Sequence, residues 1–281
     1  MDAPVTGQLN ATLASRPFLK WAGNKYRVIE RIKKLLPNGS RLIEPFTGSA
    51  AVFLNTDYEH YLLSDTNPDL INLYNILKQE GNKFIRYCKR YFNGNYNNAE
   101  SYYQLRDRFN HCKNSRQKAA LFVYLNRHGY NGLCRYNAKG GYNVPFGRYQ
   151  HPYFPQKEML AFHHKAQQAE FIVSSFEDTM ANTRPGDVIY CDPPYVPLSN
   201  SANFTSYSAG GFNLDKQKQL AQLAEEAAKR GIPVLISNHN TRFTQQAYQM
   251  ATRSDTFQVR RYISCNGENR QNAGEILALF S

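Results

Sequence analysis

The chain has 281 residues, 42% hydrophobic and 20% charged, which is enough apolar material for a sizeable core and excludes wholesale disorder. No apolar run approaches the roughly 20 residues that span a bilayer, and the start MDAPVTGQLNATLASRP has neither the basic head nor the apolar stretch of a secretory signal, reading as a short mobile arm. Lys and Arg number 34 against 22 Asp and Glu, a formal charge of +12 that points to a polyanionic partner.

In chain order, the spacing of Val28, Ile29, Ile32, Leu35 and Leu36 predicts a helix over 27–36, stopped by Pro37, Asn38 and Gly39. Arg41-Leu42-Ile43 reads as a short buried strand, 50–55 as helix-like, and Tyr61-Leu62-Leu63 as a second strand ending at Ser64-Asp65. Four helical periodicities follow, over 68–80, 83–92, 100–112 and 116–127, joined by Asn/Gly-rich turns. From 129 to 149 the period becomes two, with Leu133, Arg135 and Asn137 on one face, Cys134 and Tyr136 on the other, and Gly140-Gly141 as a hairpin turn. Strands are then expected at 170–174, 187–191, 233–237, 257–263 and 276–280, with a helix over 214–230 that Asn213 caps and Gly231 ends. Interleaved strands and helices imply an α/β layer structure into which the helical middle is inserted. The division is 1–66 for the first part of the α/β domain (with 1–16 as the arm), 67–155 for the insertion and 156–281 for the second part.

Charge is concentrated in that insertion. Between Thr66 and Pro155 there are 14 Lys/Arg against 4 Asp/Glu, together with 12 of the 20 tyrosines. Basic residues interleaved with aromatics suit phosphate contact combined with base stacking. The five cysteines, Cys88, Cys112, Cys134, Cys191 and Cys265, are scattered without a CxxC pair, which argues against a disulfide framework or zinc knuckle and fits a reducing cytosol. His239 and the His163-His164 pair lack ligand partners at metal spacing, so no metal is expected. Tyr102, Tyr103 and Phe122 fall on helical faces as core residues.

Three motifs carry chemistry. Asp192-Pro193-Pro194-Tyr195 follows the apolar run Val188-Ile189-Tyr190-Cys191, placing it beyond the carboxyl end of a strand, where α/β sheets bind ligands. Two prolines fix the backbone and remove two donors, leaving the Asp192 carboxylate, the Pro193 carbonyl and the Tyr195 ring. Such a set suits the exocyclic amine of a nucleobase: two acceptors grip its hydrogens, favour a pyramidal nitrogen and aim the lone pair at an electrophile. The second motif is Glu44-Pro45-Phe46-Thr47-Gly48-Ser49-Ala50, with Asp65 closing the next strand. Gly48 lets the backbone approach a ligand, and an acidic residue at the position of Asp65 holds ribose hydroxyls in dinucleotide folds. This is not GxGxxG, so a pyrophosphate is disfavoured. The third is Lys20-Trp21-Ala22-Gly23-Asn24-Lys25, which holds the sole Trp and by itself reads as a surface anchor with snorkelling lysines.

Taken together, 20–25, 44–48, Asp65 and the DPPY tetrapeptide, in the order cofactor loop, basic insertion, DPPY, resemble the Dam-type DNA adenine-N6 methyltransferases. The resemblance covers nearly all of 18–280. It is densest at Tyr124-Leu125-Asn126-Arg127-His128-Gly129-Tyr130-Asn131-Gly132-Leu133-Cys134-Arg135-Tyr136-Asn137 and at Asn143-Val144-Pro145-Phe146-Gly147-Arg148-Tyr149. DPPY marks amino-methyltransferases broadly, whereas the middle segment is specific to the branch that targets GATC. The resemblance implies a Rossmann-like α/β methyltransferase domain with an inserted, mainly helical target-recognition domain containing a β-hairpin, and S-adenosylmethionine as cofactor. Trp21, Ala22, Lys25, Glu44, Phe46, Gly48, Asp65 and Asp192 match positions around that cofactor, and Asp192, Pro193, Pro194 and Tyr195 those that grip and stack a flipped adenine. Tyr130 matches an aromatic wedge, Asn131 a phosphate contact and Arg135 a guanine reader. Leu133 and Pro145 match apolar contacts to base edges, while Lys20, Asn137, Arg148 and Tyr149 complete the DNA-binding set. Asn203-Phe204-Thr205-Ser206-Tyr207 resembles a loop closing near the target.

Departures are Asn24 where a second Gly is usual, Ala50 where a further Gly is common, and Asn240 where the family has Asp. Asn24 is expected to survive through its tolerance of left-handed backbone, and Ala50 to place one methyl near the cofactor. The expected partner is double-stranded DNA, without membrane or metal. The chain is expected to be a monomer in solution, with room for more than one copy on a duplex, in the cytoplasm of a prokaryote or of a virus's host. Methylation of cytosine N4 or RNA, and DNA binding without catalysis, are the competing readings.

Overall fold

The computed structural model describes residues 14–197, 212–259 and 273–281; the 203–207 loop, Cys265 and most of the N-terminal arm lie outside them. Seven strands form one sheet: β1 (Arg41–Glu44), β2 (His60–Asp65), β3 (Ala169–Val173), β4 (Asp187–Cys191), β5 (Val234–His239), β6 (Arg253–Val259) and β7 (Ala273–Phe280). Their order is β3-β2-β1-β4-β5-β7-β6. All pairings are parallel except the two made by β7, with β5 and with β6.

Apolar residues alternate between two layers along each central strand, as the two-residue period of a pleated strand requires. Leu42, Leu63, Val188, Tyr190 and Leu235 face one layer; Ile43, Leu62, Ile189, Val234 and Ile236 face the other. The first layer holds α1 (Ile29–Leu35), α2 (Pro68–Glu80), α5 (Ser115–His128) and α6 (Gln156–Lys165). The second holds α7 (Phe176–Ala181), α8 (Leu214–Lys229) and α9 (Arg242–Ala247). Leu220, Ala221, Ala224 and Ala227 turn a face of α8 onto the sheet, and their short side chains allow close approach. Asparagines start several helices. Asn67 accepts from the N–H groups of Asp69 and Leu70 at the head of α2, with Pro68 at the first helical position; Asn213 accepts from Lys216 at the head of α8. Among the described residues no helix is long and apolar enough to cross a membrane.

The long connection from β2 to β3 carries α2, α3 (Asn82–Lys89), α4 (Ala99–His111), α5 and α6. It shares one core with the sheet: Leu42 and Val188 belong to the same cluster as Phe109, Phe122 and Tyr142. Phe162 ties the pieces together, edge-on to Phe18 at 5.2 Å and stacked on Tyr74 at 4.7 Å and Phe171 at 5.6 Å. Tyr102 and Phe122 are buried as expected of core aromatics, whereas Tyr103 is 42% exposed beneath the Arg106 guanidinium.

Three local expectations differ from the structure. The stretch 50–55 is not α-helical: Ala50 sits at φ 59°, which breaks the run, and only Phe53–Asn55 forms a 3₁₀ turn. The segment 129–149 folds back on itself, but its ladder is reduced to two isolated antiparallel bridges, Gly129 with Phe146 and Tyr136 with Tyr142. Its two-residue alternation holds from 134 to 137, where Arg135 and Asn137 are exposed while Cys134 and Tyr136 pack against the core, but Leu133, expected on the Arg135 face, packs against the core as well. The helices α6, α7 and α9 were not anticipated. The last two have only six residues each and rest on side-chain caps from Ser175 and Thr241.

Candidate active site

Strand order reverses between β1 and β4, and a cavity of about 720 Å³ opens at their carboxyl ends. Trp21, Ala22, Lys25, Glu44, Phe46, Gly48, Asp65 and the whole of Asp192–Tyr195 line it, so the three sequence motifs converge there. Lys25 is nearly fully buried. It pairs with Asp192 Oδ1 at 2.8 Å, donates to the Gly23 carbonyl at 2.6 Å and stands 4.6 Å over the Tyr195 ring. Burial raises the Asp192 pKa, and the Lys25 ammonium opposes that shift.

Glu44, the last residue of β1, is buried, and its Oε1 has no hydrogen-bond partner among the described residues. Desolvation first, and repulsion from Asp192 second, push its pKa up to about 8. Asp65 is held by two backbone donors, Gly48 N–H at 3.1 Å and Asn67 N–H at 2.9 Å. Burial still leaves its pKa raised. Gly48 lies at φ 47°, and a Cβ there would come within 2.8 Å of Trp21 Nε1, so the turn is closed to other residues. Phe46 stacks on Phe176 at 5.4 Å, and Phe212 meets both rings edge-on, forming an apolar aromatic wall.

The departures from the family pattern resolve differently from expectation. Asn24 is not left-handed (φ −51°, ψ 127°); its side chain accepts from Tyr26 N–H at 2.8 Å and caps the short helix that carries Lys25. The left-handed residue of this loop is Gly23. Ala50 is buried in the core and does not line the cavity, so its methyl is not beside the cofactor site. Asn240 accepts from Gln245 at 2.9 Å, while its own N–H bonds the Gly274 carbonyl.

Sequence reasoning missed the residues that set the DPPY backbone. Asn238, fully buried at the end of β5, accepts from Val196 N–H at 3.0 Å and donates to Gln217 and to the Tyr248 hydroxyl. Gln217 of α8 in turn donates to the Pro194 carbonyl at 2.6 Å. His239 completes the support, with its Nδ1 2.6 Å from the Val196 carbonyl and its ring edge-on to Tyr195. A single buried amide carries little sequence signal, since only the fold brings positions 217 and 238 together.

The proposed DNA-facing residues gather around 129–149. Tyr130 is 51% exposed, and Asn131 takes φ 52° and donates through its backbone to the Tyr149 hydroxyl. Lys20 lies 4.1 Å over the Tyr149 ring. A Cβ on Gly132 would lie 2.2 Å from Lys20 Cβ, so the recognition segment and segment 20–25 touch. Asn126, also missed, locks that contact by bonding both the N–H and the carbonyl of Lys20 and the carbonyl of Gly132. Arg135 is exposed, its Nε held by Asn143 Oδ1 at 2.8 Å. Asn137 accepts from Lys139 and Gly141 and shapes the turn; Leu133 is half-buried, and Pro145 and Arg148 are exposed.

The family model for D12 class N6 adenine-specific DNA methyltransferases matches residues 21–261. The chain belongs to this family. It is 52% identical over 267 residues to a Vibrio cholerae protein named DNA adenine methylase, covering 95% of this chain and 96% of that one. Proteins of the same name from Salmonella typhi and Escherichia coli K12 are 51% and 50% identical over 266 residues, covering 95% of both chains in each pair. As a D12-class methyltransferase the protein is an enzyme that methylates adenine N6 in DNA, and S-adenosylmethionine is its methyl donor.

The residues present fit that donor. Four acidic side chains, Glu44, Asp65, Glu177 and Asp192, line the cavity against two lysines, Lys25 and Lys216, and Glu44 Oε1 has no hydrogen-bond partner among the described residues. A ligand bearing positive charge, hydroxyls and a flat purine meets the carboxylates, the Gly48 turn and the aromatic wall in turn. Among the described residues no cluster of His, Cys, Asp or Glu could hold a metal.

Proposed function

We propose that this enzyme flips adenine out of duplex GATC and methylates it in the cavity beside Asp192, with residues 129–149 and Lys20 reading the duplex. One observation carries the reading: the buried Lys25 pairs with the half-buried Asp192 in the cavity that Glu44 also lines, on the same chain segment that begins with Lys20 against Tyr149. Chain segment 20–25 thus runs from the duplex-facing surface into the reaction cavity.

Bound S-adenosylmethionine supplies an electrophilic methyl group. Trp21, Ala22, Glu44, Phe46, Gly48 and Asp65 hold it, with the Glu44 and Asp65 carboxylates as acceptors. The Asp192 carboxylate and Pro193 carbonyl accept the two N6 hydrogens of the flipped adenine, and Tyr195 stacks on its ring. Burial raises the Asp192 pKa, and the Lys25 ammonium opposes that rise by favouring the carboxylate. Asp192 orients the amine and receives its proton after transfer. Tyr130 fills the gap left in the duplex, Asn131, Asn137, Lys20 and Arg148 meet the backbone, Leu133 and Pro145 pack on base edges, and Arg135 makes a bidentate contact to a guanine. The stretch 67–155 serves as the recognition insertion between the two parts of the catalytic domain. The enzyme acts in the cytoplasm as a monomer, with room for further copies along a duplex.

The test is methylation of defined duplexes, scored by digestion with enzymes sensitive to adenine-methylated GATC and by rates on single-base variants. GATC duplexes are expected to be modified and protected. Arg135→Ala should lose about 1–3 kcal/mol of discrimination at one guanine, with Asn143→Ala moving in the same direction by less. Undiminished selectivity in Arg135→Ala would refute the assignment, and methylation of cytosine or RNA in preference to GATC would refute the substrate.

A further inference from the structure

The recognition surface and the core do not use all of the insertion's positive charge. Arg116 is clamped to Glu80 at 2.7 Å, Lys118 to Asp69 at 2.7 Å, and Lys78 to the Ala169 carbonyl. Arg127 is buried against the Phe18 carbonyl, and Arg106 donates to the Val144 carbonyl. Arg135 and Arg148 belong to the proposed base-reading segment. What remains concentrated in one element is the outer face of α3, where Lys83, Arg86, Lys89 and the adjoining Arg90 are all exposed. None of the four has an ion-pair partner among the described residues, and positions 81–99 contain no Asp or Glu.

Phe84, Ile85 and Cys88 bury the opposite face of this helix, so its cationic side is fixed outward. One end is built like a phosphate grip. The Tyr87 ring carries the Arg90 guanidinium at 4.1 Å and the Arg116 guanidinium at 4.1 Å. Arg116 has its charge answered by Glu80; Arg90 has only the ring, which holds the planar group in place without neutralising it. The carboxyl end of α3 also adjoins the recognition surface. Asn93 donates to the Arg90 carbonyl, and four residues on, Asn97 donates to the carbonyls of Tyr149 and Gln150.

We propose that α3 is a second, sequence-independent DNA contact, in which Lys83, Arg86, Lys89 and Arg90 hold the phosphate backbone of duplex flanking the target. This rests on the DNA-facing role of 129–149 proposed above and extends that surface along one helix. Eight helical residues span about 12 Å, or roughly three to four base-pair steps. The contact therefore engages only when the duplex continues past the recognition site, and it reads no bases.

The test compares the full chain with the variant K83Q/R86Q/K89Q/R90Q on two GATC duplexes, one of about 10 and one of about 24 base pairs, across a salt series. Wild-type protein is expected to bind the long duplex more tightly than the short one, with a steeper dependence of log K on log salt. Each phosphate contact adds about 0.9 to that slope, so the variant should lose about 3 to 4 on the long duplex and nearly nothing on the short one. The long-to-short affinity ratio should fall towards one. An unchanged slope and ratio, in a variant whose thermal midpoint matches wild type, would overturn the proposal, including the case in which this face serves a partner other than DNA. Equal loss on both duplexes would also overturn it, by placing α3 inside the recognition contact. Failure of wild-type protein to prefer GATC on the short duplex would instead refute the recognition surface itself.

Discussion

Burial strongly perturbs Glu44. Its pKa of about 8 in the folded chain exceeds the ordinary 4.5, so the folded state holds the proton more tightly than the unfolded one. Stability from this group is therefore complete below about 4.5 and declines as pH rises towards about 8. A positively charged ligand shifts the balance the other way by favouring the carboxylate. Binding of S-adenosylmethionine near neutral pH should accordingly expel a proton, and affinity should rise with pH up to about 8. Calorimetric titrations in two buffers of different ionisation enthalpy measure this directly: the heats should differ by a fraction of one proton, and Glu44→Gln should erase the difference. Identical heats for the wild-type chain would remove Glu44 from the ligand's surroundings. Asp192 allows a separate test, because its pair with Lys25 opposes the rise in pKa that burial causes. Asp192→Ala should lower kcat by at least roughly a hundredfold while DNA affinity stays near wild type; turnover equal to wild type would sink its role.

The elements around DPPY show how a strand-end loop becomes rigid. Two prolines restrict the turn, but its exit is set by α8 and β5, through Gln217 on the Pro194 carbonyl and Asn238 on the Val196 N–H. Gln217→Ala removes the donor to the partly buried Pro194 carbonyl and one of the two acceptors of the buried Asn238 amide, which keeps its bond to the Tyr248 hydroxyl, at a cost of about 1–3 kcal/mol. Thermal unfolding should register that loss, and kcat should fall more than the KM for DNA rises if, as proposed, the loop presents adenine and leaves the duplex to other residues. A variant with lowered stability but wild-type kcat would make the pair purely structural. This network also marks where sequence reading stopped. The central strands and the long helices α2, α4, α5 and α8 were legible because apolar spacing is a local property, whereas β6 begins four residues before the expected 257, and the place of segment 20–25 beside the other two motifs came from the family resemblance alone. The support of DPPY was not legible, because positions 194, 217 and 238 meet only through sheet order. The segment 129–149 was legible as an antiparallel fold-back, although only two isolated bridges form where a continuous ladder was expected. Backbone bonds tie its two arms, from Tyr130 N–H to the Pro145 carbonyl and from Asn143 N–H to the Arg135 carbonyl, and side chains add to them, as when the Tyr142 hydroxyl donates to the Leu133 carbonyl and Asn110 donates to the Tyr142 carbonyl.

At the scale of the whole molecule, the stretch that looks like an insertion in sequence is continuous with the sheet in its packing. Leu42, Val188 and Leu235 of the central strands share a cluster with Leu105, Phe122 and Tyr142 of the inserted segment, and the Phe162 ring contacts Phe18, Tyr74 and Phe171 at once. A recognition unit with its own core would open independently of the catalytic sheet; a shared core forbids that, since removing one part exposes the apolar face of the other. The arrangement has a functional sense, because Asn126 of α5 grips Lys20, and the chain from there to Lys25 enters the cavity. Any loosening of the helices would reach Asp192 through its Lys25 partner. Native-state hydrogen exchange across a denaturant series tests this: amides of α5 and of β4 should merge into one unfolding isotherm with a common slope and midpoint. Phe162→Ala, at a cost of about 3–5 kcal/mol, should move both midpoints together. If α5 opened at lower denaturant than β4, with the sheet still protected, the single core would be wrong, and the two regions would communicate only through segment 20–25.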